Sequence, residues 1–187
     1  MKNYKFVVAM IVMGTIIAGG VFAQEAWYNS YAEGIDQKVL INAGIGFGPT
    51  GGYNMGVPPL SLSADFKLPI KVPITVGGIF TYTQWKYSYN WGSTYDFRWH
   101  NIGFGARGMY HFNFVKNLDV YTGLTLGYVI QTFDGGAYNG SGYGGTSFFL
   151  YGFNVGARYF FTKNIDVYLE TGYSGLQFVS LGLSVKL

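Results

Sequence analysis

Between Phe148 and Tyr173 the chain alternates with a period of two on both sides of a polar turn. Phe149, Tyr151, Phe153, Val155, Ala157 and Tyr159, followed after Thr162-Lys163-Asn164 by Val167, Leu169, Thr171 and Tyr173, form an oily series. Gly152, Asn154, Gly156, Arg158, Tyr168, Glu170 and Gly172 form the other, which is mostly small, polar or charged. Successive side chains of a strand point to opposite faces, so the stretch predicts a β-hairpin with one apolar and one polar face. In water the apolar face would need a second layer. The same alternation fills nearly all of the chain, however, and leaves no segment to supply one. The economical arrangement turns the apolar face outward into lipid and closes the sheet on itself, so that no edge strand is left unpaired.

The N-terminus carries an export signature. Lys2 and Lys5 precede an uncharged run from Phe6 to Ala23, with Val21 and Ala23 spaced as at a small-residue cleavage site and polar Gln24-Glu25 behind them. A membrane anchor is the competing reading, but the apolar heart of the run is short and Gly19-Gly20 interrupts it. The expected division is a signal peptide over residues 1–23 and one barrel domain over residues 24–187. Without Lys2 and Lys5, ten basic residues face nine acidic ones. That balance offers no basic stripe for nucleic acid. Cysteine is absent, which removes disulfides, thiolate metal sites and lipoprotein acylation. No later stretch is apolar enough for a spanning helix, so membrane residence must be as a barrel.

Taken in order, residues 24–36 read as a short periplasmic lead-in with Trp27, Tyr28 and Tyr31. Apolar series at Val39 to Phe47 and Leu60 to Leu68 predict the first two strands, separated by a Gly- and Pro-rich loop from Pro49 to Pro59. A third strand is expected from Ile74 to about Gln84, with Ile79 violating the pattern on the polar side, then a polar, aromatic loop from Trp85 to Asp96. The fourth strand is read over Asn101 to Tyr110 and the fifth over Val120 to Tyr128. A Gly-rich loop from Phe133 to Thr146 precedes the two strands of the hairpin above, and a short turn near Ser174-Gly175 leads to an eighth strand from Val179 to Leu187. On this reading all five prolines fall outside strand interiors. The result is an all-β, closed, eight-stranded, antiparallel up-and-down transmembrane barrel. Long outer loops alternate with short periplasmic turns, and the last outer turn is unusually short.

A partial repeat supports the hairpins: Gly105-Ala106-Arg107 recurs as Gly156-Ala157-Arg158, and Lys116 to Tyr121 as Lys163 to Tyr168. The alternation, the strand count and the ending Ser180-Leu-Gly-Leu-Ser-Val-Lys-Leu187 resemble the OmpA/OmpX type of small outer-membrane barrel. The ending is similar to the assembly signal of such proteins, with a terminal Leu where an aromatic is more usual. The phrases Gly-Ala-Arg-Tyr-Phe-Phe-Thr-Lys-Asn and Phe-Val-Lys-Asn-Leu-Asp-Val-Tyr further resemble uncharacterised barrel proteins of spirochaetes. The resemblance implies a bacterial outer-membrane location, outer-membrane lipids as surroundings and recognition of the last strand by the barrel-assembly machinery. It implies architecture rather than an activity.

Parity places Asp65, Arg107, Arg158 and Glu170 in the lumen, with Lys67 and Lys186 nearer strand ends. Charges of both signs in so narrow a barrel should pair, and an ion-pair network that plugs the interior is preferred to a gate, because eight-stranded interiors are filled. The alternating glycines make room for the Arg side chains, Tyr121 and Tyr168. Gly103-x-Gly105-x-x-Gly108 and Gly140-x-Gly142-x-x-Gly145 match a dinucleotide fingerprint in letters only, since neither lies between a strand and a helix. No cofactor or metal is expected. An enzyme would need His at the outer rim. His100, with Asp96 and Ser93 nearby in the chain, is the sole candidate, because His111 lies near the periplasmic end. Trp85, Trp99, Tyr82, Tyr128 and Tyr151 are expected in the outer interfacial girdle, with Phe66, Tyr110, Phe112, Tyr159 and Phe161 in the inner one. The leading function is a non-enzymatic, monomeric barrel with a structural or surface-binding role, whose loops Tyr87 to Tyr95 and Ala137 to Thr146 could meet an extracellular ligand. The alternative is a narrow pore or lateral path for a small or apolar solute, and the third reading is a surface hydrolase or acyltransferase.

Overall fold

The computed structural model describes residues 39–187 except 50, 71, 91–93, 116, 136–144 and 174–175, and at 89–90, 94–95 and 113–115 the backbone alone. The signal peptide and the lead-in therefore lie outside the described residues. Eight strands follow one another: β1 (Val39–Phe47), β2 (Asn54–Lys67), β3 (Ile74–Asn90), β4 (Thr94–Val115), β5 (Leu118–Asp134), β6 (Phe148–Phe160), β7 (Ile165–Tyr173) and β8 (Val179–Lys186). Each pairs antiparallel with the next, and β8 pairs with β1 from Lys186 opposite Leu40 to Val179 opposite Phe47, so the sheet is a closed barrel. The amide of Leu187 donates to the Val39 carbonyl, carrying the seam to the last residue.

Alternation decides which way each side chain points. In β6 the exposure pattern is strictly two-fold, with Phe149, Tyr151, Phe153, Val155, Ala157 and Tyr159 exposed and Leu150, Gly152, Asn154, Gly156, Arg158 and Phe160 buried. Leu62, Phe80, Phe104, Leu126, Leu169 and Leu183 likewise face outward, while Asn42, Ser63, Thr81, Thr125 and Ser180 face the lumen. Ile79, the exception on β3, is buried inside. Space for the interior comes from glycine. A Cβ at Gly156 would run into the ring of Tyr121, and one at Gly44 or Gly182 into Tyr168.

Several boundaries differ from expectation. Pro58 and Pro59 lie inside β2 rather than in a loop. The ladder tolerates them because its register slips between Met55 and Val57 and again between Val57 and Leu60, and prolines without a ladder donor fit such irregularities. The segment read as a loop from Trp85 to Asp96 is mostly hairpin. β3 and β4 stay in unbroken register from Ile74 opposite Tyr110 to Asn90 opposite Thr94. β5 likewise runs on to Asp134, opposite Arg98. At the β4–β5 turn, Asn117 takes φ 65°, a left-handed conformation that asparagine tolerates. The walls are consequently uneven: β1, β7 and β8 have 9, 9 and 8 residues, whereas β3, β4 and β5 have 17, 22 and 17.

Candidate functional site

The lumen holds charge in a dry setting. Asp65, Arg107, Arg158 and Glu170 all project inward and are buried. Arg107 lies between two strands' carboxylates, with Nε 3.1 Å from Asp65 Oδ1 and Nη2 3.4 Å from Glu170 Oε2. The Tyr121 hydroxyl donates to the same Glu170 oxygen at 3.1 Å. Arg158 joins a different pair, with Nη1 3.6 Å from Asp119 and Nε 3.2 Å from Asp166, and its guanidinium sits 4.9 Å over the Tyr121 ring. Asn42 bridges the two groups: its oxygen accepts from Arg158 at 3.1 Å, and its amide donates to Asp65 and Ser63 at 2.8 Å each. The Nε contacts of both arginines are ion pairs without hydrogen-bond alignment. The result is a continuous polar column in which each carboxylate named here lies beside at least one cationic or donor group.

Three members of this column were not among the residues that parity placed in the lumen from the sequence. Asp119 and Asp166 stand next to turns, where parity is hard to anchor. The inward position of His111 follows from continuing the β4 alternation through Met109, two residues past Arg107. His111 Nδ1 is 2.9 Å from Asp119 Oδ2 and its Nε2 2.9 Å from Thr75 Oγ1. Hydroxyl, imidazole and carboxylate thus stand in the order of a nucleophilic relay. All three are nine-tenths or more buried, and Asp119 is shared with Arg158. Lys186, placed by sequence near a strand end, is buried there with Nζ 3.6 Å over the Phe160 ring, and Lys67 is half-buried.

Above the column the lumen turns apolar. Leu176, in the short outer connection between β7 and β8, folds inward and packs with Val129, Leu150 and Phe148. The packing is close enough that a Cβ at Gly103 would touch both Leu176 and Leu150, and one at Gly48 would meet the Leu176 carbonyl. Gln177 is buried beside it. The space bounded by Asn154, Glu170, Gln177 and Ser180 is about 10 Å³, no more than one water occupies. A groove of about 1050 Å³ lies on the outside, where Ala64, Gly78 and Ala106 sit below a ridge of Leu62, Phe80, Phe104, Tyr128 and Phe149. It faces the lipid side.

Beyond Gln84, Asn101 and Gln131 the polarity of the two faces inverts. On the outer face, Lys86, Arg98 and Asp134 stand in one cross-strand row, and Asp96 accepts from Ser88 at 2.7 Å and pairs with Lys86 at 3.4 Å. The hydrogen bond from Ser88, helped by the Lys86 ammonium, outweighs the opposing desolvation and holds the Asp96 carboxyl below its ordinary range. On the inner face, Trp85, Trp99 and Phe133 form one row and Tyr87 and Phe97 the next. Tyr53 leans over them, its ring centroid 4.6 Å from that of Trp99 and 6.4 Å from that of Trp85. Trp85 and Trp99, expected in the lipid-facing girdle, therefore point to the barrel axis. Tyr128 and Tyr151 do face outward, as do Phe66, Tyr159 and Phe161 on the periplasmic side. His100 bonds the Tyr82 hydroxyl at 2.9 Å, and Asp96 is held by Ser88 and Lys86, so the two are not joined; Ser93 lies outside the described residues.

An apolar exterior around a charged, packed interior has one physical explanation. The chain is a membrane-spanning β-barrel. No protein-family model and no curated protein matches it. Solved structures resemble it in fold. Neisserial surface protein A is 20% identical with a TM-score of 0.49, covering 80% of this chain and 95% of that one. The N-terminal β-barrel domain of Pseudomonas aeruginosa OprF is 16% identical with a TM-score of 0.48, covering 81% and 98%. The attachment invasion locus protein of Yersinia pestis is 15% identical with a TM-score of 0.40, covering 80% and 93%. Among the described residues no group of three or more potential metal ligands occurs.

Proposed function

We propose that this barrel is a non-enzymatic resident of the bacterial outer membrane. Its filled lumen serves as a rigid post, and the tall β3–β4–β5 wall is the part presented to the outside. The observation that carries the reading is the inward Leu176 plug above the Arg107 and Arg158 network. Together they occupy the axis that a solute path would need, so Asp65, Arg107, Arg158 and Glu170 act as struts rather than as a selectivity constriction. The outer-membrane setting is supported by the outward apolar belt and by the export signature over residues 1–23, which we take to be removed. In the same reading β8 (Val179–Lys186) is the segment that the assembly machinery engages. The barrel works as a monomer, and its relations lie with the small spirochaete barrels its sequence phrases resemble.

Two measurements test this. Planar-bilayer recordings of the refolded mature chain are expected to show no steady single-channel steps, and gel mobility of the outer-membrane fraction is expected to change on boiling. Regular conductance steps that Arg107→Ala abolishes would overturn the post and restore the pore.

A further inference from the structure

We propose that the inner face of the tall wall is a binding site for uncharged saccharide, with Trp85 and Trp99 as its central platforms. The inference deepens the surface-presenting role and rests on it. The face exists because β3, β4 and β5 continue in register past the lipid-facing belt. Outward side chains there meet water and become Lys86, Asp96, Arg98 and Asp134, while the inward positions carry Trp85, Tyr87, Phe97, Trp99 and Phe133. Trp85, Trp99 and Phe133 lie two residues, and Tyr87 and Phe97 four residues, beyond the Thr83–Asn101–Gln131 row of inward polar side chains. A sheet face in water that places two indoles, two phenols and two phenyl rings together, with Tyr53 included, gains nothing from lipid there.

Charge decides between ligands. All four charged side chains of the extension project to the opposite face, so a sulfated or carboxylated chain would find no counter-charge among the rings. An uncharged sugar ring needs none. It has a C–H face that lies on an aromatic ring and a hydroxyl edge that can use indole N–H and phenol O–H groups, the chemistry this face combines. The rings pack on one another, with centroids 4.6 Å apart at Tyr53–Trp99 and 5.1 Å apart at Trp99–Phe133, and so form one continuous aromatic surface. Trp85, Trp99, Phe97 and Phe133 are half-buried and Tyr87 is 41% exposed, so part of the face stays accessible beside Tyr53. Among the described residues the short β7–β8–β1 side leaves an approach opposite it.

The experiment uses the mature chain refolded in lipid nanodiscs free of sugar-headed detergent, with tryptophan emission recorded against cellohexaose, maltohexaose and chitohexaose. A heparin hexasaccharide and a proline-rich peptide serve as rivals. The expected result is a saturable emission change with at least one neutral hexasaccharide, equal at low and high salt. Affinity should fall at least about tenfold in both Trp85→Ala and Trp99→Ala and fall less in Trp99→Phe, with all three variants still heat-modifiable on gels. No saturable response to any neutral hexasaccharide overturns the proposal. So does a response that the tryptophan variants leave unchanged, a salt-sensitive response to heparin alone, or a response to the peptide alone. Should cells displaying the barrel still adhere to a surface that cells lacking it do not, and adhere equally with Trp85→Ala, the presenting role stands and the saccharide site falls.

Discussion

Arg107→Met tests whether the lumen network is a strut. The substitution keeps most of the side-chain volume but removes the charge that Asp65 meets at 3.1 Å and Glu170 at 3.4 Å. Asp65 and Glu170 are 2% and 5% exposed, so water does not replace the guanidinium. Removing one partner of a buried ion pair costs about 3–5 kcal/mol, because the other is left charged and dry. Two carboxylates are stranded here, yet Asn42 still donates to Asp65 and Tyr121 to Glu170. Those charge-assisted bonds offset part of the second loss, and the expected destabilisation stays near about 4 kcal/mol. The triple variant Arg107→Met, Asp65→Asn, Glu170→Gln removes all three charges while leaving acceptor oxygens for Asn42 and Tyr121. It is expected to recover most of the loss, since neutral replacement of a whole buried network is often nearly neutral in free energy. Urea unfolding in lipid vesicles, followed by tryptophan emission and boiling-dependent gel mobility, measures both variants, with an unchanged slope against denaturant as the control for compactness. A loss below about 1 kcal/mol, the range of solvated pairs, would refute the reasoning. So would a triple variant as unstable as the single one.

Two other substitutions probe the faces. Leu169→Arg puts a charge on an outward side chain near the middle of the lipid belt, and is expected to cost roughly 2–4 kcal/mol in the same assay; a loss indistinguishable from that of a rim position would mean the face is not in lipid. Gly156→Val forces a side chain into the Tyr121 ring that donates to Glu170, and overpacking of about 1–3 kcal/mol should appear together with slowed assembly into the heat-modifiable form. A fully stable Gly156→Val barrel would show that the interior is not close-packed at this level.

Legibility followed the range of the physics. The hairpin around Thr162 to Asn164 was plain because alternation and a turn are local, and β6 and β7 in the structure match it almost residue for residue. The same parity argument put Asp65, Arg107, Arg158 and Glu170 on the inner face, where the structure has them. It failed beyond Gln84, where Trp85 and Tyr87 with their polar neighbours look like a loop under a rule tuned to lipid. The alternation continues there, but with the apolar series on the other face, because the surroundings of the outer face change from acyl chains to water. Pro58 and Pro59 misled for a similar reason. A proline forbids a regular ladder position, and only the register slips beside them show that this one is irregular.

Alternation alone therefore determined the closed all-β architecture, the number of strands and the side on which each spanning residue falls, because a period of two is a property of neighbouring peptide units. Which inward groups meet was decided by closure. Arg107 finds Asp65 and Glu170, and Arg158 finds Asp119 and Asp166, through the stagger and tilt of eight strands that no single strand encodes. Only the closed barrel sets the short β7, β8 and β1 opposite the tall aromatic wall and brings Leu176 against Val129 and Leu150 in the axis. Whether this barrel conducts or presents a surface depends on those long-range placements.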